Sequence, residues 1–281
     1  MALDPFYWLA GILEGEGTFM SGPPSRPNAP VVRISMTDRD VVERSAALLD
    51  RAVTPVRARQ AHYKPPFITQ LRGAEAVDLM IAMRPVLGPE RTAQIDRVLA
   101  RWTPRGLRSR PTAPRFPVLD GIDGSTSTDP RALSWLAGLL EGEGSFSLNC
   151  NRQRNCYPVI SVNMCDGSVV RRAAKLLEAP PVALREARRA EWRPTFVAQI
   201  GGAHAAEWMK RLRAFMGQRR TEAIDAALSQ YHPIRLVDPP LSCVVLGCSE
   251  PHRGRGLCHK HYMMWSRDQK RGRVARITPL R

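Results

Sequence analysis

"WLAGILEGEGTF" occupies Trp8–Phe19, and "WLAGLLEGEGSF" occupies Trp135–Phe146, 127 positions later. In each copy an apolar run at helical spacing ends in two glutamates set between glycines. A helix C-terminus already carries partial negative charge, so a carboxylate there is disfavoured by a few tenths to about 1 kcal/mol. Writing the same unfavourable ending twice requires something that offsets it at both places.

The likeness extends well beyond the motif. "VVRISMTDRDVVERSAALLD" from Val31 returns as "VISVNMCDGSVVRRAAKLLE" from Val159, and "FITQLRGAEAVDLM" from Phe67 returns as "FVAQIGGAHAAEWM" from Phe196. Further on, Arg91, Thr92, Ile95 and Asp96 match Arg220, Thr221, Ile224 and Asp225. The offset drifts only from 127 to 129, which identifies a tandem duplication. Alternating apolar residues predict strands at "TFM" and "SFSL", at "VVRISM" and "VISVNM", around Val56–Gln60 and over Phe67–Arg72. Helices are expected to begin near Asp38 and Asp166, and two more close each half. The chain therefore reads as α+β, with two pseudo-symmetric αββαββα(α) repeats at 1–104 and 131–235. A linker rich in Pro, Gly, Ser and Thr spans 105–130, and a basic tail spans 236–281.

Gly11 and Gly15 are four residues apart and share a helix face, as do Gly138 and Gly142. Glycine within a helix costs about 0.5–1 kcal/mol relative to alanine. That is reasonable where two helix backbones approach too closely for side chains. The two motif helices are therefore expected to pack in parallel, with Gly17 and Gly144 as C-terminal turn glycines. Glu16 and Glu143 then meet at one end, where divalent cations would relieve both their mutual repulsion and the opposed helix dipoles.

Forty-two Lys+Arg against 26 Asp+Glu give a net charge of +16, which favours a polyanionic partner, foremost nucleic acid. Only five of the cations are lysine, and arginine suits bidentate phosphate and guanine contacts. No apolar run approaches the ~20 residues of a membrane span, and the first residues carry no basic segment of a secretory signal. A soluble cytoplasmic protein with no membrane partner is expected, and for Cys150, Cys156 and Cys165 no disulfide framework is expected.

The other cysteines are spaced C-x4-C-x9-C-x2-H in the tail: Cys243, Cys248, Cys258 and His261, with His259 and His252 as rival fourth ligands. Three thiolates and an imidazole suit structural Zn²⁺, and a segment this small and polar needs such a staple. It resembles small zinc modules appended to DNA-binding proteins.

The motifs Leu9-Ala10-Gly11-Ile12-Leu13-Glu14-Gly15-Glu16-Gly17 and Leu136-Ala137-Gly138-Leu139-Leu140-Glu141-Gly142-Glu143-Gly144 resemble those of the LAGLIDADG homing endonucleases, in the single-chain form with two motifs. The resemblance covers about residues 4–235. It implies two four-stranded antiparallel sheets forming a saddle over double-stranded DNA, and Mg²⁺-dependent cleavage of both strands across the minor groove. It also implies that Glu16 and Glu143 are the metal ligands, with Glu14 and Glu141 in support. The basic residue that the family places before its penultimate helix falls to Arg91, Arg219 or Arg220, so Arg91 and Arg220 are expected at the catalytic centre. DNA-facing candidates are the polar residues on one strand face: Arg33, Arg57, Arg59, Gln70 and Arg72, then Asn149, Asn151, Arg152, Asn163, Arg185 and Gln199. The halves differ at most of these positions, so a monomer reading a long asymmetric site is expected. The alternatives are a DNA-binding regulator that does not cleave and an intron RNA maturase.

Overall fold

The computed structural model describes residues 3–26, 28–58, 62–103, 114–150, 156–187, 189, 191–231 and 240–280. Arg59, Asn151 and Arg152 lie outside the described residues. Two compact units divide the chain, Met1–Gln230 and Tyr231–Arg281.

In the first unit each repeat follows one plan. The first runs α1 (Pro5–Glu16), β1 (Gly17–Met20), β2 (Val31–Met36), α2 (Arg39–Leu49), β3 (Thr54–Pro55), β4 (Phe67–Arg72), α3 (Ala74–Met83) and α4 (Pro89–Arg101). The second runs α5 (Pro130–Glu143), β5 (Gly144–Cys150), β6 (Cys156–Met164), α6 (Gly167–Leu176), β7 (Ala183–Arg185), β8 (Thr195–Gly201), α7 (Gly202–Leu212) and α8 (Gln218–Ser229). The sheets are antiparallel, ordered β1-β2-β4-β3 and β5-β6-β8-β7. This is the α+β architecture expected from the duplication.

Both motif helices start on an aspartate cap followed by proline. Asp4 Oδ1 accepts the amides of Phe6 and Tyr7, and Asp129 Oδ1 accepts that of Arg131. Trp8, Leu9, Ile12, Trp135, Leu136 and Leu139 are wholly buried, so α1 and α5 form the spine of the core instead of covering one side of it. Around them sit Val32, Ile34 and Leu71 from one sheet and Ile160, Val162 and Ile200 from the other. Arg44 and Arg172, at equivalent repeat positions, reach across between repeats. Arg44 donates to the Phe215 carbonyl (3.0 Å) and lies 3.8 Å over the Trp8 ring. Arg172 donates to the Val86 carbonyl (2.6 Å) and lies 5.1 Å over the Trp135 ring.

Three local expectations need correction. The third strand is Thr54–Pro55 and not Val56–Gln60. Pro55, Pro65 and Pro66 carry no N–H, so the ladder runs out once the Val56 amide has donated to the Pro66 carbonyl (2.8 Å), and Arg57 lies beyond its end. Cys150 and Cys156 are joined as a disulfide, against the expectation of none. They stand directly opposite in the β5–β6 register, a pairing that the hairpin creates and the spacing alone does not display. Gly17 and Gly144 are extended, with φ of −71° and −76°, not left-handed. They are glycines for room: a Cβ would stand 2.3 Å from the Leu13 carbonyl oxygen in one case and 2.4 Å from that of Leu140 in the other.

The second half of the segment between the repeats is part of the core. Phe116, Leu119 and Ile122 are buried in it, the Arg115 amide donates to Asp78 Oδ2 (2.5 Å), and the Tyr7 hydroxyl donates to the Asp120 carbonyl (3.0 Å).

Among its described residues the second unit has one helix, α9 (His259–Lys270), whose N-cap is Cys258. Its core is small: Cys243, Leu257 and Cys258, flanked by Val245, Cys248, Tyr262, Trp265 and Ile277.

Candidate active site and metal centre

The motif glycines bring two helix backbones into contact. A Cβ on Gly11 would stand 2.1 Å from the Trp135 carbonyl oxygen, and one on Gly138 would stand 2.0 Å from that of Trp8. One turn later Gly15 faces the Cγ of Glu143, and Gly142 faces the Cγ of Glu16. Equivalent residues meet in the same order along α1 and α5, so the helices run parallel and their C-terminal glutamates lie side by side.

Burial pushes Glu16 up to about 7, and the neighbouring Glu143 carboxylate pushes in the same direction. Burial also raises Glu143, against the pull of Arg91 and Arg220. Such carboxylates favour either protons or a cation. Because the folded-state value of Glu16 lies above the ordinary 4.5, the stability it contributes is present below about 4.5 and is lost as pH rises through about 7. The metal-free chain should therefore melt at a falling temperature across that window. Millimolar Mg²⁺ should restore the loss above pH 7, which a thermal-unfolding series with and without Mg²⁺ would measure. A Mg²⁺ effect as large at pH 5 as at pH 8 would contradict the assignment.

What offsets the helix dipoles is a pair of arginines. Arg91 Nε donates to the Glu14 carbonyl (2.9 Å) and its Nη2 to that of Gly15 (2.7 Å). Arg220 does the same with Glu141 (3.1 Å) and Gly142 (2.9 Å). These last-turn carbonyls have no partner within their own helix, and a cation is favourable there. The arginines expected at the catalytic centre thus hold the helix ends that carry Glu16 and Glu143.

The reverse contact comes from Glu14 and Glu141, both wholly buried. Glu14 Oε2 accepts the Gly88 amide at the start of α4 (2.5 Å), and Glu141 Oε2 accepts the Gly217 amide at the start of α8 (2.6 Å). Each motif helix therefore exchanges caps with the closing helix of its own repeat. Burial pushes Glu14 up to about 7, which the Gly88 amide opposes. The motif alone did not reveal this role. The signal was the glycine that precedes both closing helices, in "LGPER" and "MGQRR".

The described strand candidates share one sheet face. Arg33 pairs in register with Gln70, donating to its Oε1 through Nη2 (3.1 Å), and Val31 pairs with Arg72. In the second sheet Ser161 pairs with Gln199, Asn149 with Tyr157, Asn163 with Val197 and Arg185 with Thr195. Opposed residues of antiparallel strands project to the same side. Arg33, Gln70, Arg72, Asn149, Asn163, Arg185 and Gln199 therefore all lie on the face opposite Ile34 and Val162. The Arg33–Gln70 pair becomes Ser161–Gln199 in the other repeat, so the two faces present different chemistry.

In the second unit the ligand atoms of Cys243, Cys248, Cys258 and His261 lie within 4.8 Å of one another, and His261 turns Nδ1 toward Cys243 Sγ (3.2 Å) and Cys258 Sγ (3.5 Å). Neither His252 nor His259 belongs to this group. Three sulfurs and one nitrogen converging in this way fit tetrahedral Zn²⁺.

Two pseudo-symmetric αββαββαα repeats, joined along parallel glycine-faced helices that end in paired glutamates, define the fold class. No family model matches the chain, and neither does any curated protein. Among solved structures the chain is similar to the I-LtrWI LAGLIDADG homing endonuclease bound to target DNA. The two are 13% identical, with a TM-score of 0.51 over 80% of this chain and 89% of that one. It is similar as well to the LAGLIDADG meganuclease I-AabMI bound to uncleaved DNA, at 12% identity and a TM-score of 0.50 over 81% and 91% of the two chains. At these identities the similarity establishes the two-repeat LAGLIDADG fold. Among the described residues no helix is long and apolar enough to cross a membrane.

Proposed function

We propose that this chain is a site-specific, divalent-metal-dependent endonuclease that cuts both strands of duplex DNA as a monomer. The observation that carries the reading is the pair Glu16 and Glu143, two partly buried carboxylates set side by side on parallel helix ends, each raised by burial. An apolar core gains nothing from that arrangement, whereas hard divalent cations fit it. Glu16 and Glu143 would hold Mg²⁺ or Mn²⁺, which when bound activates water and offsets charge on the phosphodiester.

The remaining work belongs to the chain. Arg91 and Arg220 fix the two helix ends, so they are positioning residues. Glu14 and Glu141 lock the closing helices that carry those arginines. The polar faces of the two sheets read base edges, and the +16 charge supplies the phosphate attraction. Solved structures of the same fold with bound DNA support this reading. A binder without cleavage is less favoured, because both repeats retain an acid at the metal position.

The test exposes the purified chain to a randomised circular DNA library with Mg²⁺ and sequences newly linearised ends. Ends clustered on one asymmetric site of roughly 20 base pairs are expected. If sequences are enriched by capture on the protein and no ends appear in Mg²⁺ or Mn²⁺, the chain is a binder.

Zn²⁺ held by Cys243, Cys248, Cys258 and His261 would fold the tail, which presents Lys260, Arg267, Lys270, Arg271 and Arg273 for sequence-tolerant phosphate contacts. Removing Zn²⁺ with a chelator and then restoring Mg²⁺ should leave this tail unfolded and lower DNA affinity, with a shallower salt dependence, while the cleavage site stays the same. Protease sensitivity confined to residues after about 240 would report it. A tail equally resistant with and without chelator would argue against a structural metal.

A further inference from the structure

The two ends of the paired motif helices differ in charge at two repeat positions: Glu90 corresponds to Arg219, and Ser168 corresponds to Asp40, whose Oδ2 is taken up by the Gln218 amide (2.7 Å). Glu90 and Arg219 are equivalents, each one residue before a capping arginine. Arg219 Nε donates to both oxygens of Asp38 (2.8 and 2.7 Å), the aspartate that precedes α2, and its Nη2 is 2.6 Å from Oδ2. Its side chain stays 49% exposed, so the guanidinium can still be approached from solvent, and it lies within electrostatic reach of Glu16.

At the other end the corresponding aspartate is Asp166. Its Oδ1 caps α6 by accepting the Ser168 and Val169 amides (2.9 and 3.3 Å), and among the described residues its buried Oδ2 has no hydrogen-bond partner. Glu90 cannot supply one. It is exposed, and its ion pair is a long one to Arg193 (3.9 Å). A recess of about 350 Å³ opens here beside Glu143, lined by Glu14, Glu90, Glu143 and Asp166 together with Arg91.

This asymmetry deepens the nuclease reading and rests on it. We propose that Arg219 and Glu90 set the order of strand cleavage, so that the strand served by the Glu16 end is cut first and the strand served by the Glu143 end second. The chemistry is the same at both ends. A water oxygen bonds to phosphorus and its proton passes to solvent. The bond from phosphorus to one sugar oxygen breaks, and that oxygen leaves with the bonding pair and is protonated by solvent. Negative charge gathers on the phosphoryl oxygens in the transition state, where a nearby guanidinium stabilises and a nearby carboxylate opposes. Arg219 and Glu90 are assigned as positioning residues for that charge, not as metal ligands.

On the site recovered from the library, a duplex carrying a different 5′ dye on each strand would separate the two cuts. The native chain is expected to nick one strand about tenfold faster than the other and to accumulate the nicked duplex. Arg219→Glu, or the milder Arg219→Gln if the first folds poorly, should slow only the fast strand. Glu90→Arg should speed only the slow one, and the double exchange should invert the order. Equal rates in the native chain, or exchanges that change both strands by one factor, would overturn the inference and leave the nuclease reading standing. Binding without any cut would overturn both.

A readout independent of cleavage accompanies this. In metal-free protein, Glu90→Arg should raise the unfolding midpoint when Asp166 is present and lose that gain in an Asp166→Asn background, which still caps α6. An equal gain in both backgrounds would mean that no guanidinium at position 90 meets Asp166, and the asymmetry would lose its structural basis.

Discussion

Glu16→Gln combined with Glu143→Gln is expected to abolish DNA cleavage, by about 10³-fold or more, while leaving binding to the recovered site within a few-fold of native. Glutamine keeps the stem that packs against Gly142 or Gly15 and removes the charge a cation requires. The same double variant should be more stable than the native chain in metal-free buffer at pH 8. There the native carboxylates are ionised against burial and, at Glu16, against each other, which glutamine avoids. The gain should be about 1–2 kcal/mol once solvent screening at these partly exposed groups is allowed for, and it should shrink towards pH 5, where Glu16, raised by burial to about 7, is protonated in the native chain. Opposite signs in activity and stability, with the stability gain greatest at neutral and higher pH, would mark these glutamates as functional. A variant that loses stability at pH 8 would instead make them structural.

Much of this was legible in the sequence because duplication supplies its own control. One "LAGLLEGEG" read alone fits a buried helix with a solvated end, but two at equivalent positions require a common explanation, and the strand and helix order can be read twice. The contacts that escaped are those between residues far apart in the chain. Nothing near Glu14 announces that its carboxylate accepts the amide of Gly88, and Arg91 attracts notice as a cation long before it can be recognised as the cap of a helix that ended 75 residues earlier. The same holds for Cys150 and Cys156, whose pairing depends on a register that only the folded hairpin fixes. The third strand was misplaced for a local reason: the apolar Val56 suggested a strand, whereas the ladder is limited by prolines at 55, 65 and 66. In the tail, spacing left three histidines open, and only the start of α9 at His259 decides which ring turns back toward the thiols.

Gly11→Ala or Gly138→Ala should be among the most damaging single substitutions in the chain, although alanine is ordinarily the better helix former by about 1 kcal/mol. At Gly138 the added Cβ would stand 2.0 Å from the Trp8 carbonyl oxygen and 3.0 Å from the Ile12 amide nitrogen, both backbone atoms that no rotamer change can move. Relief requires the helices to part, which opens a gap along the most buried surface of the molecule, between side chains such as Trp8, Ile12 and Leu139. Overpacking and lost contact together should cost about 3–5 kcal/mol, or roughly 10 °C in the unfolding midpoint for a unit of this size. Gly15→Ala is the informative contrast. Its Cβ would meet the Cγ of Glu143 at 2.8 Å, a flexible side chain, so the fold should survive with a much smaller loss. The displaced carboxylate should nevertheless reduce cleavage by about tenfold or more, because catalytic groups displaced by even 1 Å lose most of their effect. Thermal unfolding and cleavage of the recovered site, measured on both variants, separate the two roles of the glycine pair. Should Gly138→Ala fold as well as Gly15→Ala, the close approach of α1 and α5 would not be what holds the repeats together.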